Sequence, residues 1–147
     1  MKIALASDHR GFNLKESLKE ELKKLNYEVV DFGTNSTEST DYPDYAFALG
    51  EAVSSKIADF GVAICGSGIG ISIACNKVKG IRCAKVSNKE EARITRIDNN
   101  SNIVAFSENI TKEESLEIVT TFVETKNSPE EKHNRRINKI KEYEETH

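Results

Sequence analysis

Short apolar runs alternate along the chain with longer stretches in which apolar residues recur every three or four positions. The runs are Ile3-Ala4-Leu5-Ala6 and residues 27–32, 60–65, 82–86 and 103–106. Most are continuous rather than alternating, as in strands covered on both faces. Leu14, Leu18, Leu22 and Leu25 form a single apolar stripe at helical spacing. Pro43 suits the first turn of a second helix, with Ala46, Leu49, Val53 and Ile57 facing inward. Residues 69–78, 89–97 and 112–124 fill the remaining gaps. The last of these begins with Thr111 and Glu114 in capping-box spacing.

The pattern is thus five strand–helix pairs followed by one extra C-terminal helix. It predicts an α/β, Rossmann-like, doubly wound sheet of five parallel strands with right-handed crossovers. The expected strand order is 2-1-3-4-5, which reverses between strands 1 and 3. Folds of this type bind ligands beyond the carboxyl ends of the strands at such a reversal. Two segments are singled out on that ground alone: Ser7–Gly11 after the first strand and Cys65–Gly70 after the third. The tail from Ser128 onward is dense in charge, with Ile137, Ile140 and Tyr143 at helical spacing. It reads either as a solvated final helix or as an arm that packs on a second subunit.

A chain of 147 residues can build one core without disulfides or metal, so a single domain over 1–147 is expected. The formal net charge of −3 argues against general affinity for nucleic acid or an anionic membrane. No apolar run approaches the roughly 20 residues of a bilayer span. The opening residues become charged too soon for a secretory signal. Together with three cysteines lacking CxxC or zinc spacing, this points to a reducing, cytoplasmic setting without a bound metal.

Gly66, Gly68 and Gly70 alternate directly after a strand. Such a turn brings the backbone close to a ligand and aims several N–H groups at one point. It suits a phosphate or a carbonyl oxygen that becomes negative. The dinucleotide fingerprint and the P-loop both fail here, because neither GxGxxG nor GK[ST] is present. The same turn could be a tight connection without a ligand. Cys65 ends the strand just before these N–H groups. It is either a thiol whose thiolate the turn favours or a small buried apolar residue. Asp8 and His9 lie across the crevice, where Asp can hold a sugar hydroxyl and His can donate to phosphate or shuttle a proton.

These residues together resemble the ribose-5-phosphate isomerase B family, which also contains the galactose-6-phosphate isomerase subunits. The matching stretches are Ser7-Asp8-His9-x-Gly11, Asp31-x-Gly33-Thr34, Thr40-Asp41-Tyr42-Pro43, the string from Ile64 to Ala74, Asn76-Lys77, Gly80-Ile81-Arg82 and Asn102-Ile103-x-Ala105-Phe106. The resemblance implies a flavodoxin-like fold and a homodimer, or a dimer of dimers, whose sites combine residues of both subunits. It also implies isomerisation of an aldose phosphate to a ketose phosphate without a cofactor. In that frame Cys65 is the general base and Ser67 orients the thiol. The N–H groups from Gly66 through Gly68 and Ile69 to Gly70 hold a cis-enediolate. Asp8, His9, Tyr42, Asn99 and Asn109 contact the sugar, while His9, Lys132 and Arg136 contact the phosphate.

Three departures bear on the substrate. A ring-opening His expected after Arg96 is replaced by Asp98, and an Asp is a poor proton donor at neutral pH unless its pKa is raised. The segment after the fifth strand reads Ser107-Glu108-Asn109-Ile110, where a phosphate-gripping Arg is expected. The tail carries Lys132 in place of an Arg, beside His133 and Arg136, which keeps the charge and loses the bidentate fork. Ribose 5-phosphate to ribulose 5-phosphate is the leading reaction. A tetrose phosphate, galactose 6-phosphate and a non-catalytic phosphosugar-binding role are the alternatives.

Overall fold

In the computed structural model, which describes residues 1–147, the apolar runs pair as one parallel sheet. In chain order the elements are β1 (Lys2–Ser7), α1 (Phe12–Lys24), β2 (Glu28–Asp31), α2 (Tyr42–Ser54), β3 (Phe60–Cys65), α3 (Ile69–Cys75), β4 (Cys83–Lys85), α4 (Lys89–Asn99), β5 (Ile103–Ser107), α5 (Lys112–Glu124) and α6 (Glu131–Thr146). The five-stranded doubly wound architecture and the extra final helix are as the sequence predicts.

The order of the strands is 2-1-3-5-4, so the last two are exchanged relative to expectation. The reason lies in their faces. Ile103, Val104, Ala105 and Phe106 are fully buried, as an internal strand requires, whereas Cys83 and Ala84 of β4 are only partly covered and Lys85 is exposed. The longer apolar strand therefore takes the place beside β3 and the short one takes the edge. The reversal between β1 and β3 is unaffected.

Alternation along the strands builds two cores. Ile3, Leu5, Val62, Ile64, Val104 and Phe106 face Leu18 and Leu22 of α1 and Ile118 and Phe122 of α5. The opposite face is made of smaller residues, Ala4, Ala6, Ala63, Cys65 and Ala105, and meets Ala46 and Leu49 of α2 and Ile71 of α3. Small side chains let α2 and α3 approach the sheet closely, and Cys65 lies on this face.

Two members of the expected stripes fall outside. Leu25 and Ile57 lie past the ends of α1 and α2 and are exposed. Helix α3 ends at Cys75, short of residue 78, whereas α4 runs on to Asn99 and so includes Asp98. Thr111 caps α5 as its spacing predicts, accepting the Glu114 N–H at 3.1 Å. Of the apolar residues in α6 only Ile137 is buried.

Candidate active site

The carboxyl ends of β1 and β3 open into a cavity of about 610 Å³. This lies within the range of small-molecule sites. Three segments form its wall: Asp8–Arg10 after β1, Thr40–Asp44 at the start of α2, and Cys65–Ser67 with Gly70 after β3.

Asp8 is almost fully buried and one of its oxygens is already committed. Oδ1 accepts the N–H groups of Arg10 at 2.9 Å and Gly11 at 3.2 Å, which shapes the turn into α1. Asp8 is therefore both a turn residue and part of the cavity wall. Nδ1 of His9 accepts the Thr40 N–H at 3.2 Å. A ring nitrogen that accepts carries no proton, so the neutral ring holds its proton on Nε2 as a donor.

The Thr40–Asp44 segment reaches the cavity because the preceding loop is anchored to β1. Ser7 N–H donates to Gly33 O at 2.6 Å and Thr34 N–H to Ser7 O at 2.7 Å. Asp31 holds the loop from the other side: Oδ1 accepts the Gly33 N–H, and Oδ2 lies 2.6 Å from Lys15 Nζ and 2.8 Å from Lys19 Nζ. Burial pushes the Asp31 carboxyl up, but the hydrogen bonds from Lys15, Lys19 and the Gly33 N–H outweigh it and hold the pKa below the ordinary value. The Lys15 side chain has no exposed surface. The hydroxyl of Thr40 is buried without a hydrogen-bond partner in the chain.

The glycine turn is built around Cys65. Its Sγ accepts the Gly68 N–H at 3.2 Å, and the residue is only 5% exposed. Gly68 has φ of +81°, and a Cβ there would come within 2.7 Å of the Phe106 backbone. Gly70 is required for a different reason: a Cβ would meet the Tyr42 ring at 2.8 Å. Ser67 Oγ accepts the Ile69 N–H at 3.1 Å, so the hydrogen bond on the thiol comes from Gly68 and not from Ser67. The N–H groups of Gly66, Ser67 and Gly70 have no acceptor within the chain. Once ionised, a thiol beside several unpaired N–H donors can take a proton while an adjacent oxygen becomes negative.

The remaining sequence-selected residues do not line this cavity. Asp98 and Asn99 end α4, with Asp98 3.7 Å from His133 Nδ1 and Thr95 Oγ1 donating to Asn99 Oδ1. Lys132 and Arg136 are exposed on α6. Asn109 is exposed beyond β5, its N–H donating to Ser107 Oγ. Arg10, Asp41 and Asp44 line the cavity without having been singled out. Their signal was proximity to Asp8-His9 and to the Thr40–Pro43 string. No group of three His, Cys, Asp or Glu side chains gathers to hold a metal ion, and no helix is long and apolar enough to cross a membrane.

Residues 3–140 match the model of the family described as Ribose/Galactose Isomerase. Ribose-5-phosphate isomerase B of Escherichia coli is 44% identical over 109 residues, 74% of this chain and 73% of that protein. The structure of ribose-5-phosphate isomerase B from Clostridium thermocellum superposes with a TM-score of 0.94 at 46% identity, covering 99% of both chains. That of the Mycoplasma genitalium enzyme, with bound ribulose-5-phosphate, gives 0.91 at 39% identity, covering 98% of this chain and 96% of its own.

Proposed function

The chain belongs to the ribose/galactose isomerase family, and we propose that it interconverts ribose 5-phosphate and ribulose 5-phosphate with Cys65 as the base. One observation carries the reading: the Cys65 thiol stands at the wall of a sugar-sized cavity with N–H donors around it. As a thiolate, Cys65 removes the proton from C2 of the open-chain aldose. The electron pair forms the C1–C2 double bond and O1 becomes negative. The unpaired N–H groups of Gly66, Ser67 and Gly70 stabilise this cis-enediolate. The sulfur then returns the proton to C1, and the O2 hydroxyl proton passes to O1 as the C2 carbonyl forms. No electrons leave the substrate, so the cycle closes without a redox cofactor. Ser67 shapes the turn, Asp8 and Tyr42 meet sugar hydroxyls, and His9 donates from Nε2.

In the same reading the active form is a homodimer. Asp98 and Asn99 with Lys132 and Arg136 complete the partner's site, since within one chain they stand away from the Cys65 cavity. Asp98 then serves the step before enolisation, ring opening, at the position where the resemblance leads one to expect a His. The test is a panel of four-, five- and six-carbon aldose phosphates, with ketose formation followed for each. Turnover of ribose 5-phosphate, abolished by Cys65→Ala, is the expected result. No turnover in either direction would overturn the substrate assignment, and activity retained by Cys65→Ala would overturn the base.

A further inference from the structure

We infer that Arg10 is a further residue that binds the substrate's phosphate end, from the wall that carries Cys65 and in addition to Lys132 and Arg136 of the partner subunit, and so helps select phosphorylated over free sugars, an inference that deepens the proposed isomerase reading. Of the side chains lining the cavity, Arg10 alone carries a permanent positive charge, and it faces a wall that also holds Asp8, Asp41 and Asp44. A doubly charged phosphate among three carboxylates needs a cation, and none of the other wall residues is one.

The guanidinium is also positioned. Its Nε lies 2.5 Å from Oε2 of Glu108, the residue just beyond β5. That oxygen is buried and has no aligned hydrogen bond, so the contact is a charge pair that tethers the Nε side of the fork. The two Nη groups are left free, and the side chain, which lines the cavity, is 58% exposed. The guanidinium lies against Gly66, its Cζ 3.5 Å from the point a Cβ would occupy. An anion at this place meets the Nη pair, while the unpaired N–H groups of Gly66, Ser67 and Gly70 stay with the enediolate end of the substrate. The Nε2–H of His9, the preceding residue, is a further donor on the same wall. Planar bidentate contact of this kind is what arginine supplies and lysine does not. Glu108 acts through Arg10 and is a positioning residue.

The experiment separates this site from the chemistry by using unreactive ligands. Binding of ribitol 5-phosphate and of ribitol is measured by calorimetry for the wild type, Arg10→Ala, Arg10→Lys and Glu108→Gln. The wild type is expected to prefer the phosphorylated polyol, and Arg10→Ala to weaken its binding by about 10- to 100-fold. Ribitol binding should change little, Arg10→Lys should recover part of the loss, and Glu108→Gln should lie between. With a turned-over substrate the effect falls on KM rather than kcat. Unaltered discrimination in Arg10→Ala, or a wild type that does not distinguish the two polyols, overturns the inference. An Arg10-dependent preference in a protein that isomerises nothing upholds it and rejects the isomerase reading instead. A lowered melting temperature with unchanged binding would make the Arg10–Glu108 pair purely structural and also overturn it.

Discussion

The three cysteines meet three different surroundings, and their chemistry follows from them. Cys75 is fully buried and its Sγ donates to Ala46 O. The hydrogen bond with Cys75, together with burial, pushes the Cys83 thiol well above its ordinary value, so it stays protonated at neutral pH. Cys65 alone lines the cavity. Iodoacetamide at pH 7 is therefore expected to modify Cys65 before the other two, and ribitol 5-phosphate to slow that modification; peptide mass spectrometry reads both. Equal labelling of all three would contradict the geometry. Cys65→Ala should lower kcat by about 10²- to 10⁴-fold, the usual span of a positioned acid–base group, with an unchanged melting temperature. The position of Cys65 was legible in the sequence because an apolar run followed by alternating glycines marks where a strand ends and a turn begins. Arg10 was not, because neither its charge nor its spacing tells which side chain of a turn faces the opening.

Among the elements, β4 and β5 show where reading ran out. Both are apolar enough to be strands, yet chain order does not say which one takes the inner place. That choice came from coverage on both faces, decided once α3 and α4 lay on opposite sides of the sheet. The loop between β2 and α2 is held by Lys15, Lys19 and Glu16 around Asp31. Lys15→Ala removes one partner from a buried cluster and should lower unfolding free energy by about 3 kcal/mol in urea melts. A loss under 1 kcal/mol would mean that Lys19 alone suffices. The pKa of Asp31 is lower folded than unfolded, so its stabilisation is complete above the unfolded value of about 3.9 and fades as pH falls through the folded one. The difference in stability between the wild type and Asp31→Asn should thus be largest at neutral pH and shrink below about pH 4. A difference that stays constant with pH would show that the carboxylate's charge is not what matters.

At the scale of the whole molecule, apolar surface remains uncovered. Ile69 and Ile73 on α3 are 55% and 57% exposed, and Ile140 and Tyr143 on α6 are 53% and 66% exposed. The glycine turn runs straight into the first pair, and α6 also carries Lys132 and Arg136. A second copy of the chain that covered both patches would bring the charged residues of one subunit to the cavity of the other. Light scattering should then give twice the 16.4 kDa of the chain. Composite sites make a sharper prediction. Cys65→Ala and the double variant Lys132→Ala/Arg136→Ala should each be weak alone. Mixing them after mild dissociation should restore activity, because each mixed dimer holds one site with neither defect. No gain on mixing would place all the working residues within one chain.

The sequence alone determined the element types, the parallel sheet, its reversal between β1 and β3, and Cys65 with its glycine turn. These are local matters: periodicity of apolar residues, the spacing of glycines, and the end of a strand. Only the tertiary structure decided that β5 and not β4 lies beside β3, that Thr40–Asp44 folds over the cavity, and that Arg10 pairs with Glu108 there. It likewise separated Asp98 and Asn99 from Cys65. Those outcomes depend on which distant surfaces meet when two cores are buried at once, and no pattern along the chain carries that information.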